Sequence, residues 1–146
     1  MLINYARAKA EQGPPAPKTG QIIITFHGLQ SRDGYLRVSL YKAAASFPDG
    51  APAARKDICL TTLSPRSPLG AVKVSFGDLR PGRYAVCAFH DRDSSGKLKQ
   101  NFLGIPTEEW GMSNNPRPNI RTPRFEEAQL NIPAPGATMI TINLDR

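Results

Sequence analysis

The densest run of reactive side chains lies between His90 and Asn101 and reads HDRDSSGKLKQN. Asp91, Asp93 and Ser95 recur at intervals of two, and Gly96 follows directly. Side-chain oxygens at positions one, three and five, with glycine at six, form the first half of a calcium loop. The oxygens converge on a hard cation and the glycine allows the sharp turn. The second half departs from that pattern: Phe102 stands at position twelve, where a bidentate acid belongs, and Lys97 and Lys99 bring positive charge beside the site. The same residues suit an Asx-rich loop better, its carboxylates and hydroxyl capping their own backbone amides. Calcium is therefore the one cofactor the sequence raises, and it stands as an alternative to a loop with none.

Other chemistry is sparser. Glu108 and Glu109 precede Trp110, the only tryptophan, which suggests a carboxylate pair beside a stacking ring. Catalytic carboxylates must face each other across a bond, whereas sequence neighbours usually point apart. His27 and His90 are the only histidines, and no third nitrogen or thiolate completes a zinc set. Ser113 lacks the G-x-S-x-G surround of a nucleophile elbow. Asn114 and Asn115, followed by Pro116, are turn formers with amides suited to capping backbone.

These residues need a scaffold, and alternation supplies one. Residues 21–27 place Ile22, Ile24 and Phe26 on one face, and residues 34–41 do the same with Leu36, Val38 and Leu40. The turn between them, SRDG, predicts that the two runs pair as an antiparallel hairpin. Residues 42–56 read as a connecting loop, residues 58–63 as a short strand, and Val72, Val74 and Phe76 as a clear one. Pro81-Gly82 then turns into the strand 83–90, where Tyr84 is expected to plug the core and bond the adjacent loop backbone. Residues 102–124 carry four prolines and no periodicity, too long for an idle connection. Strands at 128–132 and 140–144 close the chain. Seven strands of period two imply an all-β antiparallel sandwich, immunoglobulin- or transthyretin-like, over residues 20–146. Residues 1–19, ending in GPPAPKTG, read as a flexible tail.

Composition narrows the classes. The 146 residues suffice for one domain with a real core, and fourteen prolines with twelve glycines suit many turns. No apolar run reaches the length of a membrane span. The formal charge is +7, but the nineteen Lys and Arg are scattered. A specific nucleic-acid site would concentrate them with aromatics, so none is expected. Cys59 and Cys87 leave one disulfide or two free thiols open.

The string HDRDSSGKLKQNFLGIPTEEWGMSNN resembles the signature of DUF2141, a group of bacterial domains of unknown function, often exported. The matching residues are His90, Asp91, Gly96, Lys97, Leu98, Asn101, Gly104, Ile105, Pro106, Glu108, Gly111, Ser113, Asn114 and Asn115. Lys99 stands where the family usually has an acid, and Asp93 and Ser95 where it often has amides. The resemblance implies a periplasmic or secreted location. The N-terminus shows no apolar stretch of signal-peptide length, which keeps a cytoplasmic one open. The first functional expectation is a non-catalytic binding or accessory module, with residues 90–124 as the surface that meets an unknown ligand or protein. Its candidate residues are His90, Asp91, Asp93, Asn101, Glu108, Trp110, Ser113 and Asn114. The alternatives are a calcium-stabilised loop held by Asp91, Asp93 and Ser95, and a hydrolase-like enzyme using His90, Asp91 and Glu108. Oligomeric state is left open.

Overall fold

The computed structural model describes residues 18–66, 68–119 and 121–146. The expected tail, residues 1–19, falls almost wholly outside them. Eight strands form: β1 (Gly20–His27), β2 (Tyr35–Tyr41), β3 (Ala54–Cys59), β4 (Val72–Leu79), β5 (Gly82–Asp91), β6 (Trp110–Met112), β7 (Leu130–Ile132) and β8 (Gly136–Asn143). One short helix, α1 (Phe125–Ala128), precedes β7. Among the described residues no helix is long and apolar enough to cross a membrane.

The strands assort into two open sheets. One has the order β4-β1-β8, the other β3-β2-β5-β6, with β7 pairing separately with β5. Period-two alternation gives each sheet one apolar face. Ile22, Ile24 and Phe26 of β1, Val72, Val74 and Phe76 of β4, and Ile142 of β8 meet Leu36, Val38 and Leu40 of β2 and Tyr84, Val86 and Ala88 of β5 in one cluster. That shared core is the main source of stability, since each large aliphatic removed from water contributes roughly 1.5–3 kcal/mol.

Three expectations are corrected. Residues 21–27 and 34–41 do not form a hairpin: β1 pairs with β4 and β8, and β2 pairs with β3 and β5. Alternation shows that a strand buries one face, not whether its chain neighbour lies beside it or across the core. Residues 28–34 are long enough to cross between sheets about 10 Å apart. Nor is the pairing antiparallel throughout, because β1 and β8 run parallel over their whole lengths. The third strand lies at 54–59, not 58–63. Its sequence ARKDIC buries no residue fully on the free edge and so lacks the apolar signal, while the fully buried Leu60 sits in the 3-10 turn that follows. Charged residues along a free edge also discourage pairing with another chain.

The outer face of the second sheet is partly covered. Tyr41, Ala85 and Met112 form a second small core with Phe125 and Ala128 of α1 and with Phe47. Phe47 meets both Tyr41 and Phe125 edge-on, at 5.5 and 5.8 Å between ring centres. The Tyr41 hydroxyl donates to the Pro48 carbonyl at 2.5 Å, so residues 42–53 are a tethered cover. Beyond that cover the same face stays open, and the site lies there.

Candidate functional site

Strand β5 positions almost everything. Its even residues Tyr84, Val86 and Ala88 enter the main core, so Cys87, Phe89 and Asp91 stand on the outer face. In β6, which sequence reading missed as too short to show alternation, Met112 lies opposite Cys87 and Trp110 opposite Phe89. Between them Gly111 faces inward against β8, where a Cβ would sit 2.6 Å from the Asn143 carbonyl oxygen and 2.7 Å from Ile142 Cγ2. Only glycine lets β6 approach that closely.

From the end of β5 the chain enters the acidic loop, and the expected cap is what forms. Asp91 is fully buried. Its Oδ2 accepts from Arg37 Nε and from the Gly96 amide, both at 2.8 Å, and its Oδ1 accepts from the Ser95 amide at 3.1 Å and the Ser95 hydroxyl at 3.3 Å. Glu108, also buried, accepts the Arg92 amide at 2.7 Å on one oxygen and the Lys99 amide at 2.8 Å on the other. Asp93 is exposed, with Lys99 Nζ at 3.6 Å, and hydrogen bonding from Ser95 holds its carboxyl below the usual range. Carboxylate oxygens of Asp91, Asp93 and Glu108 lie within 4.8 Å of one another. A calcium ion takes six to eight oxygens. Here two of the three carboxylates already receive N–H donors on both oxygens.

His90 is fully buried, and its Nε2 donates to the Asp33 carbonyl at 2.8 Å. Its Nδ1 lies 3.8 Å from Glu109 Oε2, and neither atom has a hydrogen-bond partner. The other Glu109 oxygen meets Arg92 and Arg146. His90, Asp91 and Glu108 thus sit inside the protein, the two carboxylates with both oxygens engaged and His90 with Nδ1 unpartnered, and none of the three lines the outer-face cleft.

The SNN triplet stitches rather than exposes. Ser113 Oγ accepts the Val86 amide at 3.0 Å and donates to the Ala128 carbonyl. Asn114 donates to the carbonyls of Glu127 and Gln129 at 3.1 and 2.9 Å, at the end of α1. Asn115 pairs with β8 as a strand residue would, donating to Thr141 and accepting from Asn143 at 3.1 and 2.8 Å. Both asparagines have positive φ, 66° and 53°, a conformation asparagine tolerates better than most residues.

What this stitching leaves open is a cleft of about 860 Å³ on the outer face. Cys87, Phe89, Trp110 and Met112 line it from the strands, Leu98, Leu103 and Ile105 from one loop, and Pro118, Thr122 and Pro123 from another. Lys97, Arg121, Arg146 and Asp49 supply the charged lining. Of the residues expected at the surface, Trp110 lines it, while Asn101 and Asn114 are exposed loop-holders outside it. The signal for the others was present: Cys87 and Phe89 alternate with core residues, which places them opposite.

The chain matches the family described as "Uncharacterized protein conserved in bacteria (DUF2141)" over residues 24–141. It belongs to the DUF2141 family. No curated protein and no solved structure matches it. The DUF2141 signature therefore has a physical meaning in this chain: Asp91, Glu108, Ser113, Asn114 and Asn115 pin irregular backbone, and Gly111 permits close strand approach.

The two thiols are both free. Cys59 lies opposite Tyr35 and Cys87 opposite Ser39, on either side of β2. That offset is roughly 13 Å along the strands and two strand spacings across, beyond the ~7 Å reach of a disulfide. Thr61 hydrogen-bonding pulls the Cys59 thiol down, whereas burial pushes the Cys87 thiol far up. Thiolate is the reacting form, so Cys59 alkylates first as pH rises. Iodoacetamide near pH 8 should modify Cys59 at least about tenfold faster than Cys87 in the folded protein. Equal rates by peptide mass spectrometry would contradict the assignment.

Proposed function

We propose that this DUF2141 domain is a non-catalytic binding module, an immunoglobulin- or transthyretin-like sandwich whose outer-face cleft receives a small, largely apolar ligand or side chain. One observation carries the reading. The buried Asp91, Glu108 and Ser113 of the signature are engaged in holding backbone, and the loops they hold border a concave, aromatic-lined space. Pockets of roughly 300–1,000 Å³ with apolar walls and a few polar groups are the usual form of ligand sites. The cationic residues at the cleft favour a ligand with an acidic end.

The anionic apolar dye 8-anilinonaphthalene-1-sulfonate tests this. It should bind the folded protein saturably at one site and receive excitation energy from Trp110, the only tryptophan. Leu103→Ser, at an exposed lining position, should weaken that binding about tenfold by removing apolar contact. Absence of saturable binding, or equal affinity in the variant, would refute the cleft. A second reading, a calcium-stabilised loop, draws on the convergence of Asp91, Asp93 and Glu108 within 4.8 Å. Its test accompanies the Asp91 substitution.

A further inference from the structure

At the rim of the cleft, the loop spanning residues 100–106 holds apolar side chains out in water. Phe102 is 96% exposed, Leu103 68% and Ile105 53%. This exposure is built. The Asn101 amide donates to the Ile105 carbonyl and the Gly104 amide to the Asn101 carbonyl, both at 2.9 Å. Asn101 Oδ1 accepts the amides of Leu103 and Ile105 at 2.9 and 3.1 Å. Gln100 and Pro106 bridge the base, and Thr107 donates to the Lys99 carbonyl at 2.8 Å. Gly104, with φ of 77°, closes the turn. Four hydrogen bonds around one asparagine fix a loop whose tip is phenylalanine and leucine.

We propose that this tip docks on an anionic lipid surface, Phe102 and Leu103 entering the interfacial layer while basic side chains meet the headgroups. Two observations select lipid over protein. The tip offers three apolar side chains, on the order of 400 Å², about half of what each partner buries in a stable protein interface. The charge is complementary: Lys97 and Lys99 stand five and three residues before Phe102, Lys97 carries no salt bridge among the described residues, and the chain has a net charge of +7. A rigid apolar point with lysines close before it in the chain suits shallow insertion, where apolar burial and headgroup attraction add.

The test is co-sedimentation of the full chain with vesicles of phosphatidylcholine alone or with about 30% phosphatidylglycerol at about 50 mM salt. Binding is expected to the anionic vesicles, weakened several-fold at about 0.5 M salt by screening. Phe102→Ala should weaken it about tenfold and Phe102→Leu far less, since the two differ in apolar area. Unchanged melting temperatures, expected at so exposed a position, show that folding is intact. Three results would overturn the proposal: no anionic preference, undiminished binding by Phe102→Ala, or vesicle-free self-association that Phe102→Ala abolishes, which would assign the tip to a second copy. Phe102 does not line the cleft, so these outcomes leave the dye result to stand or fall separately.

Discussion

Asp91→Ala lowers the stability of the folded chain by about 3–5 kcal/mol with no metal added, the range for breaking a buried, hydrogen-bonded ion pair. The carboxylate is fully buried and accepts four hydrogen bonds. Alanine strands the Gly96 amide, leaves the Ser95 amide with Asp93 at 3.2 Å, and removes the 2.8 Å partner of Arg37, whose remaining ion-pair partner among the described residues is Asp57 at 3.3 Å. Thermal unfolding should show a fall on the order of 10 °C. In the unsubstituted protein, millimolar calcium against chelator should move the melting temperature by less than about 2 °C. A site binding at a hundredfold excess over Kd would instead add about 2.7 kcal/mol. A large calcium shift that Asp91→Ala abolishes would put the metal reading first, and a neutral Asp91→Ala would remove the cap from the account.

Tyr84 carries the second large effect. Its ring is 3% exposed within the shared core, and its hydroxyl donates to the Arg80 carbonyl at 2.6 Å, four residues back across the Pro81-Gly82 turn. Tyr84→Ala should cost about 3–5 kcal/mol, as large aromatic truncations do. Tyr84→Phe should cost about 1 kcal/mol for the stranded carbonyl. Denaturant unfolding of the two variants separates ring from hydroxyl. Equal losses would mean that the hydrogen bond, rather than the ring, dominates.

Local chemistry was legible in the sequence where a residue's role is decided by its immediate neighbours. The Asp91 cap over Ser95 and Gly96, the Tyr84 bond across its turn, and the alternating core faces of β1, β2, β4 and β5 all follow from spacing of a few residues. What spacing could not reach was the choice of partner. β1 and β8 are joined by backbone pairing between the two ends of the domain, which leaves no mark in either strand. Glu108 reads from the sequence as one candidate of the recognition surface, since charge usually means exposure. It is buried because two amides, sixteen and nine residues back, await its oxygens. The cleft was hidden for a related reason. Cys87 and Phe89 read as the far side of a core strand, and only the long-range placement of residues 96–106, of Pro118 and Asn119, and of residues 121–123 makes them a floor.

The most direct measurement is a methyl NMR titration of methionine-labelled protein with 8-anilinonaphthalene-1-sulfonate. Met112 lines the cleft, and Met139 of β8 is exposed on the other sheet. A binding cleft on the outer face predicts that the Met112 methyl shifts saturably while Met139 stays in place. A Met112 signal that does not move as the dye saturates, or equal movement of both methyls, would contradict it.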